Sequence, residues 1–270
     1  MSVSIDLSGK RVLVVGGSAG IGRSLAIVAG AEGAQVAVVG RSEEKLAEVA
    51  AHEGITAVAA DIRDPDRCVG LVRESVDALG GLDAVVVSSA VSPLAMLESV
   101  SAETWNDVMI TNTVAPALIA QAALDHLSAE AVVVFLSSIV VGLSHQGLAS
   151  YAASKAALDR TVRSWRMERP DHRFVRLAVG DTIGTEFTRD FDAGLAGELF
   201  PKWLASSCIH EQHMEVDDLG RTIAELVAVL LAHPGLTMPE LTISPPGGMM
   251  ALDSAALSNM LEQTVGTTTP

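Results

Sequence analysis

The first residue whose type and spacing suggest chemistry is a tyrosine. Tyr151 is the only Tyr among 270 residues, and Lys155 follows it in Tyr-Ala-Ala-Ser-Lys, at the start of a helical pattern. Residues at i and i+4 share a helix face. A phenol has an ordinary pKa of about 10, and a neighbouring ammonium favours phenolate and pulls that value toward neutrality. Such a phenol could exchange a proton with a carbonyl or alcohol oxygen. Ser138 stands thirteen residues upstream, just past a predicted strand. Its hydroxyl, set beside the phenol, could hydrogen-bond the same oxygen, or it could be an ordinary strand-end turn residue. A Tyr-x3-Lys spacing alone is common and gains weight only from this company.

A second chemistry is suggested near the N-terminus. Val15-Gly16-Gly17-Ser18-Ala19-Gly20-Ile21-Gly22 follows an apolar run and opens a helical pattern. Glycines keep such a turn tight and let backbone N–H groups approach a phosphate, and the helix dipole favours the anion. The spacing is G-x3-G-x-G, and its place between strand and helix points to a dinucleotide. A carboxylate closing the second strand would accept from the ribose hydroxyls of NAD. Gly40 and then Arg41 stand there instead, and a guanidinium suits a ribose 2′-phosphate. The expected cofactor is therefore NADP, with Arg41 and Arg23 as candidate cations, the alternative for Arg41 being a solvated surface residue. Asp61, after the third strand, is a candidate acceptor for the adenine amino group or a helix-cap Asp.

These groups need a scaffold that brings residues 16, 41, 61, 138 and 151 together. Apolar runs at Arg11–Val15, Gln35–Val39, Thr56–Ala60, Ala84–Ser88, Ala131–Ser137, Phe174–Val179 and Leu241–Ser244 read as strands. Helical patterns at Ile21–Glu32, after Ser42, and at Pro65–Leu79, Ala102–Leu127, Ser150–Arg166 and Glu215–Ala232 alternate with them. Fully apolar strands separated by helices imply an α/β fold, a parallel sheet covered on both faces. Thr182–Met214 reads as an irregular substrate lobe holding Phe187, Phe191, Leu195, Leu199, Phe200, Trp203 and Leu204. These side chains suit an apolar or amphipathic substrate, or simply pack on the sheet. A single domain over 1–253 and a tail over 254–270 are expected.

The ordered set of motifs resembles the short-chain dehydrogenase/reductase family, over about Leu7 to Gly248. The resemblance implies a doubly wound, three-layer Rossmann-type fold and an oxidoreductase. It implies Tyr151 as general acid/base, Ser138 as the group orienting the substrate oxygen, and Lys155 as the cation that lowers the Tyr pKa and binds the nicotinamide ribose. Asn112 matches the family's helix asparagine and would hold a relay water near Lys155. Gly16, Gly20 and Gly22 match the glycine motif, which carries Ser18 and Ile21. Asp61-Ile62 matches the adenine contact, Ala90 lies in the cofactor segment after the fourth strand, and Thr185 matches the threonine at the nicotinamide end.

The chain also departs from the family pattern. Val15 stands where Thr opens the glycine motif. Ser88-Ser89-Ala90-Val91 replaces Asn-Asn-Ala-Gly, which is expected to loosen the strand ties, because Ser makes fewer hydrogen bonds than Asn. Gly180-Asp181 replaces Pro-Gly, Arg176 stands where Asn is usual, and the closing Asp-Gly-Gly region reads Ser244-Pro245-Pro246-Gly247-Gly248. Asp181 near a nicotinamide would favour the oxidised ring, but a solvent-facing Asp181 is the better expectation. His210 and His213 are three apart, which is not the zinc-protease spacing, and a helix-surface pair is expected. His145 is expected to be a solvated loop residue.

Composition excludes more than it selects. With 18 Lys+Arg against 33 Asp+Glu the net charge is −15, which argues against nucleic-acid and anionic-membrane surfaces. Lone Cys68 and Cys208 suggest neither disulfides nor a zinc site, and no metal is expected. No signal peptide is read at the N-terminus, and no uninterrupted apolar run approaches the ~18 residues of a membrane helix. A soluble, cytoplasmic protein is expected. It would form a homodimer or homotetramer through the wide apolar faces of Ala102–Leu127 and Ser150–Arg166. Its expected reaction is NADP-dependent interconversion of a ketone and a secondary alcohol on a small molecule. The competing class is a non-catalytic or weakly active dinucleotide-binding protein on the same fold, favoured by the departures at 88–91 and 180–181.

Overall fold

A computed structural model describes residues 6–249. Strands and helices alternate as the apolar runs require. They run β1 (Arg11–Val15), α1 (Gly20–Ala31), β2 (Gln35–Gly40), α2 (Glu43–Ala50), β3 (Ile55–Ala59), α3 (Pro65–Leu79) and β4 (Leu82–Val87). Next come α4 (Ala102–Met109), α5 (Ala115–Ala123), β5 (Leu127–Ser138), α6 (Ala149–Glu168) and β6 (Arg173–Val179). The chain closes with β7 (Thr182–Ile183), α7 (Ala193–Ala205), β8 (Met214–Glu215), α8 (Val216–Ala232) and β9 (Glu240–Ile243). Seven strands form one sheet in the order β3-β2-β1-β4-β5-β6-β9, every pair parallel.

Alternation along each strand divides the core. Val12 and Val14 face the side covered by α1 and α8, with Leu25, Ile223 and Val227. Leu13 and Val15 face the other side, with Leu71, Ile119, Leu158 and Phe135 under α3, α5 and α6. Arg11 clamps the edge of this arrangement, binding Asp83 through Nε at 2.9 Å and so tying the start of β1 to β4. The winding reverses between β1 and β4. In open parallel sheets the crevice beyond the strand ends at such a switch point is where ligands bind.

Three predicted elements change. The helix expected over 102–127 is broken by a wide π turn at Ile110–Val114 and a last 3-10 turn, and β5 starts at Leu127, earlier than expected. Pro116 explains the break: it has no N–H to give the carbonyl of Asn112, four residues back. The run 102–126 is long and apolar enough to cross a membrane, but half of its most apolar window is buried against the rest of the chain. The 182–214 lobe is not irregular throughout. It holds α7, capped by Asp192 accepting from the Leu195 N–H, and a β7–β8 pair. Gly194, Gly197 and an internal Pro201 mask that helix in the sequence. The tail after residue 253 lies outside the described residues.

Candidate active site

A single cleft of about 580 Å³ opens at the switch point and collects nearly every expected residue. Gly16, Ser18, Gly20, Ile21, Gly22, Arg41, Asp61, Ile62, Ala90 and Thr185 line it, together with Ser138, Tyr151 and Lys155. Two expected residues lie elsewhere. Arg23 does not line the cleft, whereas Arg63 and Arg189 do. Asn112 sits just behind the wall, fully buried.

The glycine turn is required by close packing. Gly16 has φ +87°, and a Cβ there would stand 2.6 Å from Ser89 N. A Cβ on Gly22 would meet the Gly16 carbonyl at 2.3 Å and Ser88 Oγ at 2.4 Å. A Cβ on Gly40 would meet Ser18 Oγ at 2.6 Å, so the end of β2 has no room for a carboxylate side chain without displacing Ser18. The first turn of α1 carries no side-chain cap, leaving its N–H groups free toward the cleft. We expect Gly22→Ala to raise the dinucleotide Kd at least about tenfold, because overpacking costs about 1–3 kcal/mol. Fluorescence titration with NADPH checks this, and an unchanged Kd would remove the turn from the site.

The segment after β4 is not loosened by its serines. Ser88 Oγ donates to Val15 O at 3.0 Å, tying β4 to the glycine turn. Val91 is pinned by Asn112, whose amide accepts from Val91 N and donates to Val91 O, both at 2.8 Å. The second amide hydrogen goes to Ser154 Oγ at 3.0 Å. The Asn112 side chain is therefore a brace between β4 and α6, with both amide hydrogens used. Pro116 leaves the main-chain carbonyl of Asn112 without an i+4 donor.

Tyr151 and Lys155 share one face of α6, as their spacing requires. The Lys155 ammonium donates to Leu136 O at 2.7 Å and lies 5.9 Å from the centre of the Tyr151 ring. The phenol is not lowered as expected. Burial pushes it up to about 12, with the Ser138 hydroxyl pulling the other way. Burial also brings Lys155 down to about 8, with the Asp159 carboxylate opposing that fall. In each case desolvation of the charged form outweighs the neighbour.

At the adenine end, Asp61 is not a free acceptor. Its carboxylate holds Arg63, with Nη2 at 2.7 Å, and that pair keeps it below the usual carboxylate range. Arg41 makes no ion pair among the described residues. Three buried hydroxyls along the cleft, Ser89 Oγ, Thr111 Oγ1 and Ser137 Oγ, have no partner among the described residues. Buried polar groups are normally satisfied. A polar ligand threading the cleft fits them, so the residues suit a dinucleotide.

The opposite end is built by the 182–214 lobe. Phe187 packs edge-on against Tyr151 at 5.4 Å and against Phe191 at 5.5 Å. Phe187, Phe200 and Trp203 line the cleft. Leu195, Leu199 and Leu204, with Phe191, pack beneath it around Leu94, Leu148 and Tyr151. Part of the predicted lobe is therefore packing.

A scan against family models matches residues 10–194 to the short chain dehydrogenase family. The chain belongs to the short-chain dehydrogenase/reductase family. It is 36% identical over 165 residues to the hydroxynaphthalene reductase arp2 of Aspergillus fumigatus, an alignment spanning 59% of this chain and only 60% of that protein. It is 31% identical over 245 residues to a hydroxynaphthalene reductase-like protein of Metarhizium majus, covering 85% of this chain and 90% of the relative. A short chain dehydrogenase from Burkholderia cenocepacia in complex with NADP superposes with TM-score 0.76 at 27% identity, over 88% of this chain and 97% of that one.

Three features of this short-chain dehydrogenase escaped the sequence. Asp181 is only partly exposed, because it is engaged by the lobe: its Oδ2 accepts from His210 N and meets His210 Nδ1, both at 2.8 Å. His210 is buried and lies beyond α7, not on a helix surface with His213. The pair clasps the lobe to the end of β6. His145 is not solvated either. Its Nε2 lies 2.8 Å from Cys208 O, and its ring meets Trp203 edge-on at 5.3 Å. Arg176 forms a buried ion pair with Asp159, one turn beyond Lys155 on α6. For none of these did a local pattern announce the partner.

Proposed function

We propose that this protein is an NADP-dependent reductase, interconverting a carbonyl and a secondary alcohol on a small apolar or amphipathic molecule. One observation carries the reading: Tyr151, Ser138 and Lys155 open into the same continuous cleft as the glycine turn and Arg41. The bound dinucleotide would supply the hydride. The glycine turn and the free N–H groups of α1 would hold its phosphates, Ile62 and the Asp61–Arg63 pair the adenine, and Lys155, Thr185 and Ala90 the nicotinamide half. Ser138 would orient the substrate oxygen and Tyr151 donate its proton, the two hydroxyls holding charge that develops there. Lys155 would stabilise the phenolate left behind. The Asn112 carbonyl would hold a water for proton return, while its amide keeps Val91 in place.

The substrate class follows from Phe187, Phe200 and Trp203, which suit a flat ring, and from the hydroxynaphthalene reductases among the relatives. The segments that favoured a non-catalytic protein, Ser88–Val91 and Gly180–Asp181, are tied into the site and no longer argue for it. The reading is tested by NADPH oxidation with a panel of cyclic and aromatic ketones. Binding of NADPH without turnover of any of them would overturn it.

The choice of NADP over NAD rests on Arg41, with Arg63 and Arg189 at the same end of the cleft. Charge-assisted hydrogen bonds contribute about 1.5–3 kcal/mol, so Arg41→Ala should weaken NADPH binding roughly 10–100-fold. NADH binding should barely change, and the difference should shrink as salt screens the exposed charge. Equal losses for both cofactors in isothermal titration would remove Arg41 from the 2′-phosphate. We further propose a homo-oligomer. Val114, at the end of the π turn before α5, and Met167, on α6, remain 43% and 82% exposed. Light scattering should give more than one chain mass at micromolar concentration.

A further inference from the structure

The substrate end of the cleft contains an acceptor that the proposed chemistry does not use. His145 lies in the loop between Ser138 and Tyr151 and lines the same cleft. Its Nε2 is 2.8 Å from the Cys208 carbonyl. A carbonyl can only accept, so Nε2 carries the hydrogen, and Nδ1 of the neutral ring is left as an acceptor. Burial favours that neutral ring. Trp203 fixes the ring plane edge-on, and the Trp203 indole is itself anchored, its Nε1 donating to Gln146 O at 2.9 Å. Cys208 is buried beside Ile209. The imidazole is thus held from two sides, with its tautomer set. Its Nδ1 is buried and has no hydrogen-bond partner in the protein.

No donor within the described residues reaches this nitrogen. The other cleft-lining groups with buried unpaired polar atoms, Ser89, Thr111 and Ser137, lie just after β4, in the π turn after α4 and near the end of β5. His145 stands apart from them, among Trp203, Cys208 and the lobe. We propose that His145 is a specificity-determining residue, whose Nδ1 accepts a hydrogen bond from a hydroxyl carried by the substrate in addition to its reacting carbonyl. The substrate class is then a hydroxylated ring ketone. Its carbonyl oxygen meets Ser138 and Tyr151, its ring packs on Phe187 and Trp203, and its hydroxyl donates to His145. A site built to hydrogen-bond a substrate hydroxyl discriminates strongly against the analogue lacking it, because the buried acceptor is then left unpaired.

This inference rests on the carbonyl-reductase reading, so its test reads binding and needs no turnover. The probes are 1-tetralone and its four phenolic isomers hydroxylated at ring positions 5 to 8, titrated calorimetrically into protein saturated with NADP+, which has no hydride to give. Wild type should bind one isomer about tenfold or more tightly than 1-tetralone itself. In His145→Phe that preference should fall to about one, with 1-tetralone binding little changed. His145→Asn, which keeps an acceptor, should recover part of the preference. A preference that survives in His145→Phe, or the absence of any preference in wild type, overturns the proposal. NADPH oxidation recorded on parallel samples reports separately on the reductase reading, which fails if no ketone is reduced even where the tetralones bind.

Discussion

Tyr151→Phe should lower kcat for carbonyl reduction by about 10²–10⁴ while leaving NADPH affinity within about twofold. General acid catalysis by a positioned side chain contributes in that range, and Tyr151 is the only phenol in the chain. The substitution keeps the ring that packs against Phe187 and removes only the hydroxyl. The direction of pH dependence follows from burial. The phenol, pushed up to about 12, is neutral through the physiological range and so is in the donor form. Lys155, brought down to about 8, keeps its charge below that value and loses it above. Reduction should therefore be level up to about pH 8 and fall beyond it, as the ammonium that stabilises the nascent phenolate disappears. Alcohol oxidation needs the phenolate and should rise with pH over the same interval. Stopped-flow rates across pH 6–10 check both limbs. Wild-type turnover in Tyr151→Phe would end the assignment of this residue as the acid.

The second large effect concerns stability. Arg176→Ala should destabilise the fold by about 3–5 kcal/mol, the usual cost of leaving one member of a buried ion pair alone. Asp159 is 6% exposed, and Arg176 Nε and Nη2 both meet its Oδ2 at 2.9 Å. Its Oδ1 is buried without a partner, so once the guanidinium is gone no hydrogen bond compensates the carboxylate, and only the more distant charges of Lys155 and Arg163 remain. The pair joins α6 to β6, and α6 carries Tyr151 and Lys155. Replacing both residues with apolar ones of similar size, Asp159→Leu with Arg176→Met, should cost far less than Arg176→Ala, because no uncompensated charge is buried. Urea unfolding midpoints distinguish the cases, and a loss under about 1 kcal/mol in Arg176→Ala would show that the pair does not hold this junction. The same carboxylate supports the charge on Lys155. Asp159→Asn should therefore move the upper limb of the reduction profile to lower pH.

The glycine turn, the strand-helix alternation and the Tyr151–Lys155 spacing were legible because each is a local fact. An apolar strand of five residues, a glycine where φ must be positive, or two side chains four apart on a helix need no distant partner to be read. Resemblance added Asn112, Thr185 and Ile62 by place in the motif order. It led to a mistaken expectation at Ser88, where a hydroxyl proves long enough because Gly16 and Gly22 bring the turn within its reach. It did not show that the two amide hydrogens of Asn112 are spent on Val91 and Ser154.

What only the tertiary structure decided involves residues far apart in the chain. Asp181 and His210 are 29 positions apart and His145 and Cys208 are 63 apart, yet each pair meets at 2.8 Å. The phenol's pKa belongs to this class too. The sequence shows the lysine expected to lower it, but not the burial that pushes it up. By itself, then, the sequence determined the fold family, the dinucleotide turn and the identity of the candidate acid. The structure decided how deeply that acid is buried, what clasps the lobe over it, and which imidazole lines the cleft. The physical reason is that hydrophobic periodicity and turn chemistry act over a few residues, whereas desolvation and pairing depend on everything the fold brings near.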